Sequence, residues 1–246
     1  MRQLLPPAPV GFSSERFFAG VHWHQSWNIF EGVRLPGRNS VEELCDRIQL
    51  PLDLTGKRVL DIGAWHGAFS FECERRGASE VIAFSLENPE TSGFNLLKTV
   101  LSSKVKYVVG SAYNLQDYGL GRFDVVLFLG VLYHLRYPLL AIDRLRSICA
   151  GELYIETHIS GLLPDLPIWQ FYPGAELADD SSNWFGPNIP AVITAFQTAG
   201  FNISLLETWG TRASFQAAPS GSLSAFTNTY EGQSHELQSK LKLLDP

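Results

Sequence analysis

Cysteine is scarce in this chain of 246 residues: Cys45, Cys73 and Cys149 are scattered, and no two form a C-x-x-C pair. That argues against a disulfide framework or a cysteine zinc site and fits a reducing cytoplasm. Positive charge is also short. Nineteen Lys and Arg stand against 25 Asp and Glu, giving a formal charge of −6, and the first lysine is Lys57. Broad non-specific nucleic-acid binding rests on phosphate neutralisation, so this balance disfavours it. Long hydrophobic runs are missing too. The longest, residues 123–133, falls well short of the roughly 20 apolar residues a membrane-spanning helix needs. No membrane association is expected. The early Pro6, Pro7 and Pro9, with no basic stretch leading into an apolar one, predict no secretory leader.

What the chain does have is 45% hydrophobic residues, enough for one good-sized domain with attachments. Residues 1–55 show little periodicity and crowd aromatics at Phe17, Phe18, Trp23, Trp27 and Phe30. They are expected to form an N-terminal aromatic cap. Ser40, followed three residues later by Glu43, predicts a capped helix over 40–48. From residue 56 the pattern alternates strand and helix, the mark of a parallel α/β sheet. Strands are expected at 57–62, 81–84, 105–109, 123–129 and 153–157, with helices at 67–76, 89–101 and 138–149. A long excursion over 158–187, rich in Pro, Gly, Asp and aromatics, reads as an inserted lid. A helix at 190–199 and a closing strand pair at 201–208 and 213–217 complete the domain near residue 218. The polar stretch 219–246 is expected to be a tail with a short helix at 236–243.

The run Val59-Leu60-Asp61-Ile62-Gly63-Ala64-Trp65-His66-Gly67 carries the main functional signal. A buried parallel strand ends in an acid, then glycines allow a sharp turn and close approach of a ligand to bare backbone. A dinucleotide site would show G-x-G-x-x-G, but the middle glycine is absent and Trp65 would crowd a pyrophosphate.

This run, with Phe123-Asp124-Val125-Val126 and Gly130-Val131-Leu132-Tyr133-His134, resembles the successive motifs of class I S-adenosylmethionine-dependent methyltransferases. The segment Gly130 to Pro138, with Leu153-Tyr154-Ile155-Glu156-Thr157, is most similar to the subgroup that modifies wobble uridine in tRNA through carboxy-adenosylmethionine. The resemblance spans residues 56–205. It implies a Rossmann-like α/β fold with a mostly parallel seven-stranded sheet, helices on both faces, and S-adenosylmethionine as cofactor.

Residue by residue, the resemblance places Asp61, Gly63, Ala64, Trp65 and Gly67 in the cofactor loop. It places Ser85, with Leu86 and Glu87, where an acid usually takes the ribose hydroxyls, so either Glu87 reaches back, or Ser85 serves through water, or the ribose is weakly held. Ser111 and Ala112 match the adenine position, Leu129 and Gly130 the backbone beyond the fourth strand, and Tyr133 a tyrosine on the sulfonium side. His134 is a candidate general base for a hydroxyl acceptor, a histidine being suited to that work at neutral pH; its other reading is a residue fixing the next turn. Glu156 and His158 stand on the same edge, as base or as partner to His134. Gln25 and Arg38 are candidates to reach the cofactor's carboxylate. No metal site is read. The expected reaction is methyl transfer to a small-molecule acceptor, an oxygen of a natural product or sugar. The tRNA alternative loses support because no lysine precedes Lys57 and Leu135 replaces a basic residue, and a cofactor-binding protein with regulatory or non-methyl chemistry stays open. Acceptor identity and oligomeric state are not legible.

Overall fold

A computed structural model describes residues 5–220, so the expected tail and its helix lie outside the described residues. The body is a seven-stranded sheet. Its strands and helices in chain order are β1 (Arg58–Ile62), α1 (Ala68–Arg75), β2 (Glu80–Ser85), α2 (Phe94–Val100), β3 (Lys106–Val109), β4 (Phe123–Leu129), α3 (Pro138–Ile148) and β5 (Cys149–His158). Then follow β6 (Trp169–Phe171), β7 (Phe185–Pro187), α4 (Ile189–Thr198), β8 (Phe201–Trp209) and β9 (Arg212–Pro219). The sheet order is β8-β9-β5-β4-β1-β2-β3, parallel except for β9, which pairs antiparallel with both β5 and β8. β6 and β7 form a separate antiparallel hairpin inside the 158–187 excursion.

The central strands β1, β2 and β4 are mostly buried, because both faces of the sheet are covered. One core cluster gathers Leu60, Ile62, Phe84, Phe128, Ile155, Phe196 and Phe215. The other joins Val59, Val81, Ala83, Leu127 and Tyr154 to Trp23, Trp27, Phe30, Leu35 and Val41 of the N-terminal segment. Residues 5–55 therefore share a core with the sheet. Trp27 is 1% exposed, stacks on Phe71 and donates from Nε1 to Glu72 Oε2 at 2.9 Å. The early aromatics seal a sheet face, and only part of the segment turns to the carboxyl edge.

Most expected elements appear within a few residues. The helix Val41–Arg47 is capped by Ser40, whose hydroxyl accepts from Glu43 N at 3.2 Å. The helix expected over 89–101 starts late, at Phe94. Asn88 instead organises a turn, accepting from Glu90 N at its side chain and from Thr91 and Ser92 N at its carbonyl. Conversely, the strand expected at 153–157 begins at Cys149, because its pairing with β4 extends back to Phe123.

Candidate active site

The turn after β1 is shaped by its neighbours. Gly63 has φ +78°, and a Cβ there would lie 2.4 Å from Val131 Cγ2. Its backbone is exposed at the carboxyl edge of the sheet, where ligands of open α/β folds bind. Gly67 differs: it is buried at φ +80°, and a Cβ would strike the Phe94 ring at 2.6 Å. Gly67 is thus required for helix packing. Ala64 is buried.

Asp61 is also one layer back. Its carboxylate is buried and accepts from Ser70 Oγ at 2.6 Å, and burial pushes its pKa up to about 6. It braces α1 against β1. Trp65 adopts φ +52°, a strained conformation for a large residue. Three contacts hold it: Tyr107 Oη donates to its carbonyl at 3.0 Å, its backbone N–H donates to Ser85 Oγ at 3.2 Å, and His24 lies edge-on to its ring at 4.8 Å.

At the end of β2 the Ser85 hydroxyl accepts from Trp65 and donates to the Glu87 carboxylate, so its only proton is used inside the protein. Ser85 is buried, Glu87 is half-buried and Leu86 points outward at 71% exposure. The Glu87 carboxylate thus turns back toward the end of β2. At the end of β3, Ser111 Oγ accepts from Tyr113 N and starts the 3-10 helix Ala112–Tyr118, with Ala112 buried beneath it.

Beyond β4, Leu129 and Gly130 are half-buried, and the 3-10 turn Leu132–His134 follows. A Cβ on Gly130 would sit 3.4 Å from Tyr133 Oη, 3.9 Å from Glu156 Oε2 and 4.0 Å from Arg212 Nη2. These groups form one cluster. Arg212 pairs bidentately with buried Glu156, with Nη2 at 2.8 Å from Oε2, and donates to Tyr133 Oη at 3.3 Å. Glu156 is therefore an anchored counter-ion, which removes it as a free base. Sequence reasoning missed Arg212; only its position at the start of the closing strand pointed to this edge. His158 is likewise engaged, its Nε2 lying 3.2 Å from Tyr172 Oη, and it tethers the excursion.

His134 remains. Its Nδ1 lies 3.2 Å from the Ser182 carbonyl and 3.1 Å from Ser182 Oγ, and no partner meets Nε2 among the described residues. Burial lowers its pKa, against raising contributions from the Ser182 backbone and Asp180. The ring is thus neutral at pH 7 and able to take a proton. Two more segments close over this edge. Trp184 N donates to the Tyr133 carbonyl at 2.8 Å, and the Arg136 guanidinium lies over the Trp184 ring at 4.3 Å. From the N-terminal side come His24, whose pKa is lowered by burial and by His22 against raising contributions from Asp180 and Glu87, and half-buried Gln25, whose Oε1 is buried without a partner. Arg38 is exposed, with its backbone N–H on the His24 carbonyl. Among the described residues no group of three His, Cys, Asp or Glu is placed to hold a metal, and no helix is long and apolar enough to cross a membrane.

Comparison with known proteins bears on the domain and its fold. A methyltransferase domain family profile matches residues 37–206. The tRNA U34 carboxymethyltransferase of Campylobacter hominis is 37% identical over 108 residues, covering 43% of this chain and 38% of that protein. The protein of the same name from Ectopseudomonas mendocina is 30% identical over 158 residues, covering 63% and 48%. The chain thus spans about half or less of these relatives' length. Among solved structures, the N-terminal domain of EvdMO1 with SAH bound superposes with a TM-score of 0.62 at 20% identity, covering 84% of this chain and 93% of that one. YcgJ from Bacillus subtilis gives 0.63 at 13% identity, covering 74% and 99%. At such identities these structures show a shared fold.

Proposed function

This chain belongs to the methyltransferase domain family, and on that premise we propose that it transfers a methyl group from S-adenosylmethionine to an oxygen of a small-molecule acceptor, such as a natural product or sugar. The observation that carries the proposal is the meeting, at one carboxyl edge, of bare Gly63 and Gly130 backbone with a neutral histidine whose Nε2 is free.

The residues fit the cofactor. Open backbone at Gly63 and Gly130 suits the amino-acid portion, and the Glu87 carboxylate, steered by Ser85, suits two ribose hydroxyls, since a carboxylate offers two acceptor oxygens. Gln25 Oε1, buried and unpartnered, suits an ammonium donor. When bound, the cofactor supplies an electrophilic methyl on a sulfonium. The chain's own part is alignment, which dominates an in-line displacement, and removal of the acceptor's proton at His134 Nε2. Tyr133, with its hydroxyl held by Arg212, forms the wall beside that path. The excursion supplies water exclusion through Trp184 and Tyr172.

Two titrations test the reading. Adenosylhomocysteine should bind by calorimetry, and labelled methyl from adenosylmethionine should reach a member of a panel of sugars and phenols. With the acceptor so found, His134→Gln should lower kcat about 10²–10⁴-fold, the usual share of a general base. Transfer unaffected by that substitution refutes the base; absence of binding refutes the whole proposal.

A second reading, alkylation of tRNA wobble uridine, draws support from the names of the relatives. Against it, Glu156 already occupies the Arg212 fork and the N-terminal segment holds no lysine. Nucleoside mass spectrometry of a deletion strain decides: loss of a modified wobble uridine would establish it, an unchanged profile would remove it.

A further inference from the structure

The His134 ring is held from the excursion, and the chemistry of its holders dictates where the proton sits. A carbonyl can only accept, so the Ser182 carbonyl at 3.2 Å requires Nδ1–H. Ser182 Oγ, at 3.1 Å from the same nitrogen, spends its one proton on Asp180 Oδ1 at 2.7 Å, so it too accepts from Nδ1. Both contacts demand one tautomer, which leaves the lone pair on Nε2.

The holder is itself a built unit. Asp180 Oδ1 also accepts from Ser182 N at 2.8 Å, Asn183 N donates to the Asp180 carbonyl at 3.2 Å, and Asn183 Nδ2 donates to the Leu177 carbonyl at 2.8 Å. Ala178 and Asp179 just before it both adopt left-handed backbone, at φ +59° and +54°, which folds the loop back on itself. The next residue, Trp184, ties this strap to Tyr133. The charged and titratable groups facing His134 are Asp180 from the strap, Arg212 from β9, His24 from the N-terminal segment and Tyr133 beside it.

We propose that Ser182, backed by Asp180, is the positioning residue for His134: it selects the Nδ1–H tautomer and links the base to the seating of the 177–184 strap. This rests on the reading of His134 as base. When Nε2 takes the acceptor's proton, Nδ1–H stays on Ser182, and the Asp180 carboxylate, through the serine hydroxyl, favours the imidazolium so formed. A strap lifted from Tyr133 would release the ring and leave the tautomer to solvent.

The test is nitrogen NMR of the full chain carrying ¹⁵N-histidine, read free and with adenosylhomocysteine, His134 being identified by the signals lost in His134→Gln. The wild type should show protonated Nδ1 and unprotonated Nε2. Ser182→Ala and Asp180→Asn should each lower the His134 pKa by about half a unit or more, as loss of a charge-assisted contact requires. Ser182→Thr, which keeps the hydroxyl, should restore it. Adenosylhomocysteine affinity should stay within about twofold throughout, since the strap residues lie outside the proposed cofactor contacts. A wild-type Nε2–H tautomer, an unshifted pKa in Ser182→Ala, or a pKa change matched by lost affinity would overturn the proposal. If His134→Gln transfers methyl at the wild-type rate, the base reading fails on its own, and the NMR result stands apart from it.

Discussion

Two segments close over the same edge of the sheet, and they are built on opposite principles. The N-terminal segment is fused to the fold: Trp27, Ile29, Leu35 and Val41 are buried in a core shared with β1 and β4. The 158–187 excursion is held by polar tethers, while Phe171, Leu162, Leu163 and Leu166 remain about half exposed. Its ties are Trp184 to Tyr133, Tyr172 to His158, Ser160 Oγ to Gln170 and above all Asn188. A dry contact resists opening because every atom leaving it meets water. Polar ties exchange with solvent at little net cost, about 1 kcal/mol each. Hence one cover is expected to be permanent wall and the other to gate access.

Trp27→Ala should break the first side most severely. It removes a ring that is stacked on Phe71, lies under Arg75 at 4.0 Å and bonds Glu72. The expected loss is about 3–5 kcal/mol in urea unfolding, the range for a buried aromatic cut to alanine. A loss below about 1 kcal/mol would make the segment an appendage.

Asn188→Ala should rank next. Buried Asn188 caps α4 through Ala191 N, accepts from Ile168 N, and donates to the carbonyls of Leu162, Leu163 and Leu166. Losing the cap and stranding those carbonyls should cost about 2–3 kcal/mol, with hydrogen exchange accelerated first in 160–170. Uniform acceleration across the sheet would deny the excursion its separate stability.

Trp184→Ala should leave stability within about 1 kcal/mol, because the ring is only half-buried, yet lower methyl transfer at least tenfold. Equal effects on both would erase the contrast between wall and gate.

The smallest effect concerns pH. His66 is buried against Trp23 with both ring nitrogens unpartnered, and burial holds its pKa down at about 3. Its unfolded form binds a proton below about 6.5, so this histidine makes stability rise with pH between about 3 and 6.5. Asp61, raised to about 6, acts oppositely: the folded state binds its proton, and stability falls as pH rises from about 4 to 6. The two slopes oppose each other where they overlap. His66→Leu should make stability rise less steeply, or fall more steeply, with pH across 4–6 than in the wild type, by no more than about 1.4 kcal/mol per unit. A slope unchanged from the wild type would contradict the assignment.

The sheet was legible because β1, β2 and β4 are apolar runs bounded by glycine, and the turn at Gly63 announced the ligand edge. Boundaries slipped where a tight turn or a distant pairing decided them: the Asn88 turn delays α2, and pairing with Phe123 extends β5. The site was harder. Glu156, His158 and Asp61 are polar residues at the right edge, but Arg212, Tyr172 and Ser70 consume them, and each partner lies at least nine residues away in sequence. Ser182 and Asp180 sit in a stretch without periodicity, so nothing local tied them to His134. Trp27 shows the same limit: the sequence does not reveal that its ring stacks on Phe71, far along the chain.

Calorimetric titration of the full chain with adenosylhomocysteine tests the central claim most directly. Saturable one-site binding is expected, weakened about tenfold by Glu87→Gln and abolished by Gly63→Val, whose side chain would meet Val131. Absence of heat, or binding indifferent to both substitutions, would contradict the assignment of this edge as a methyltransferase site.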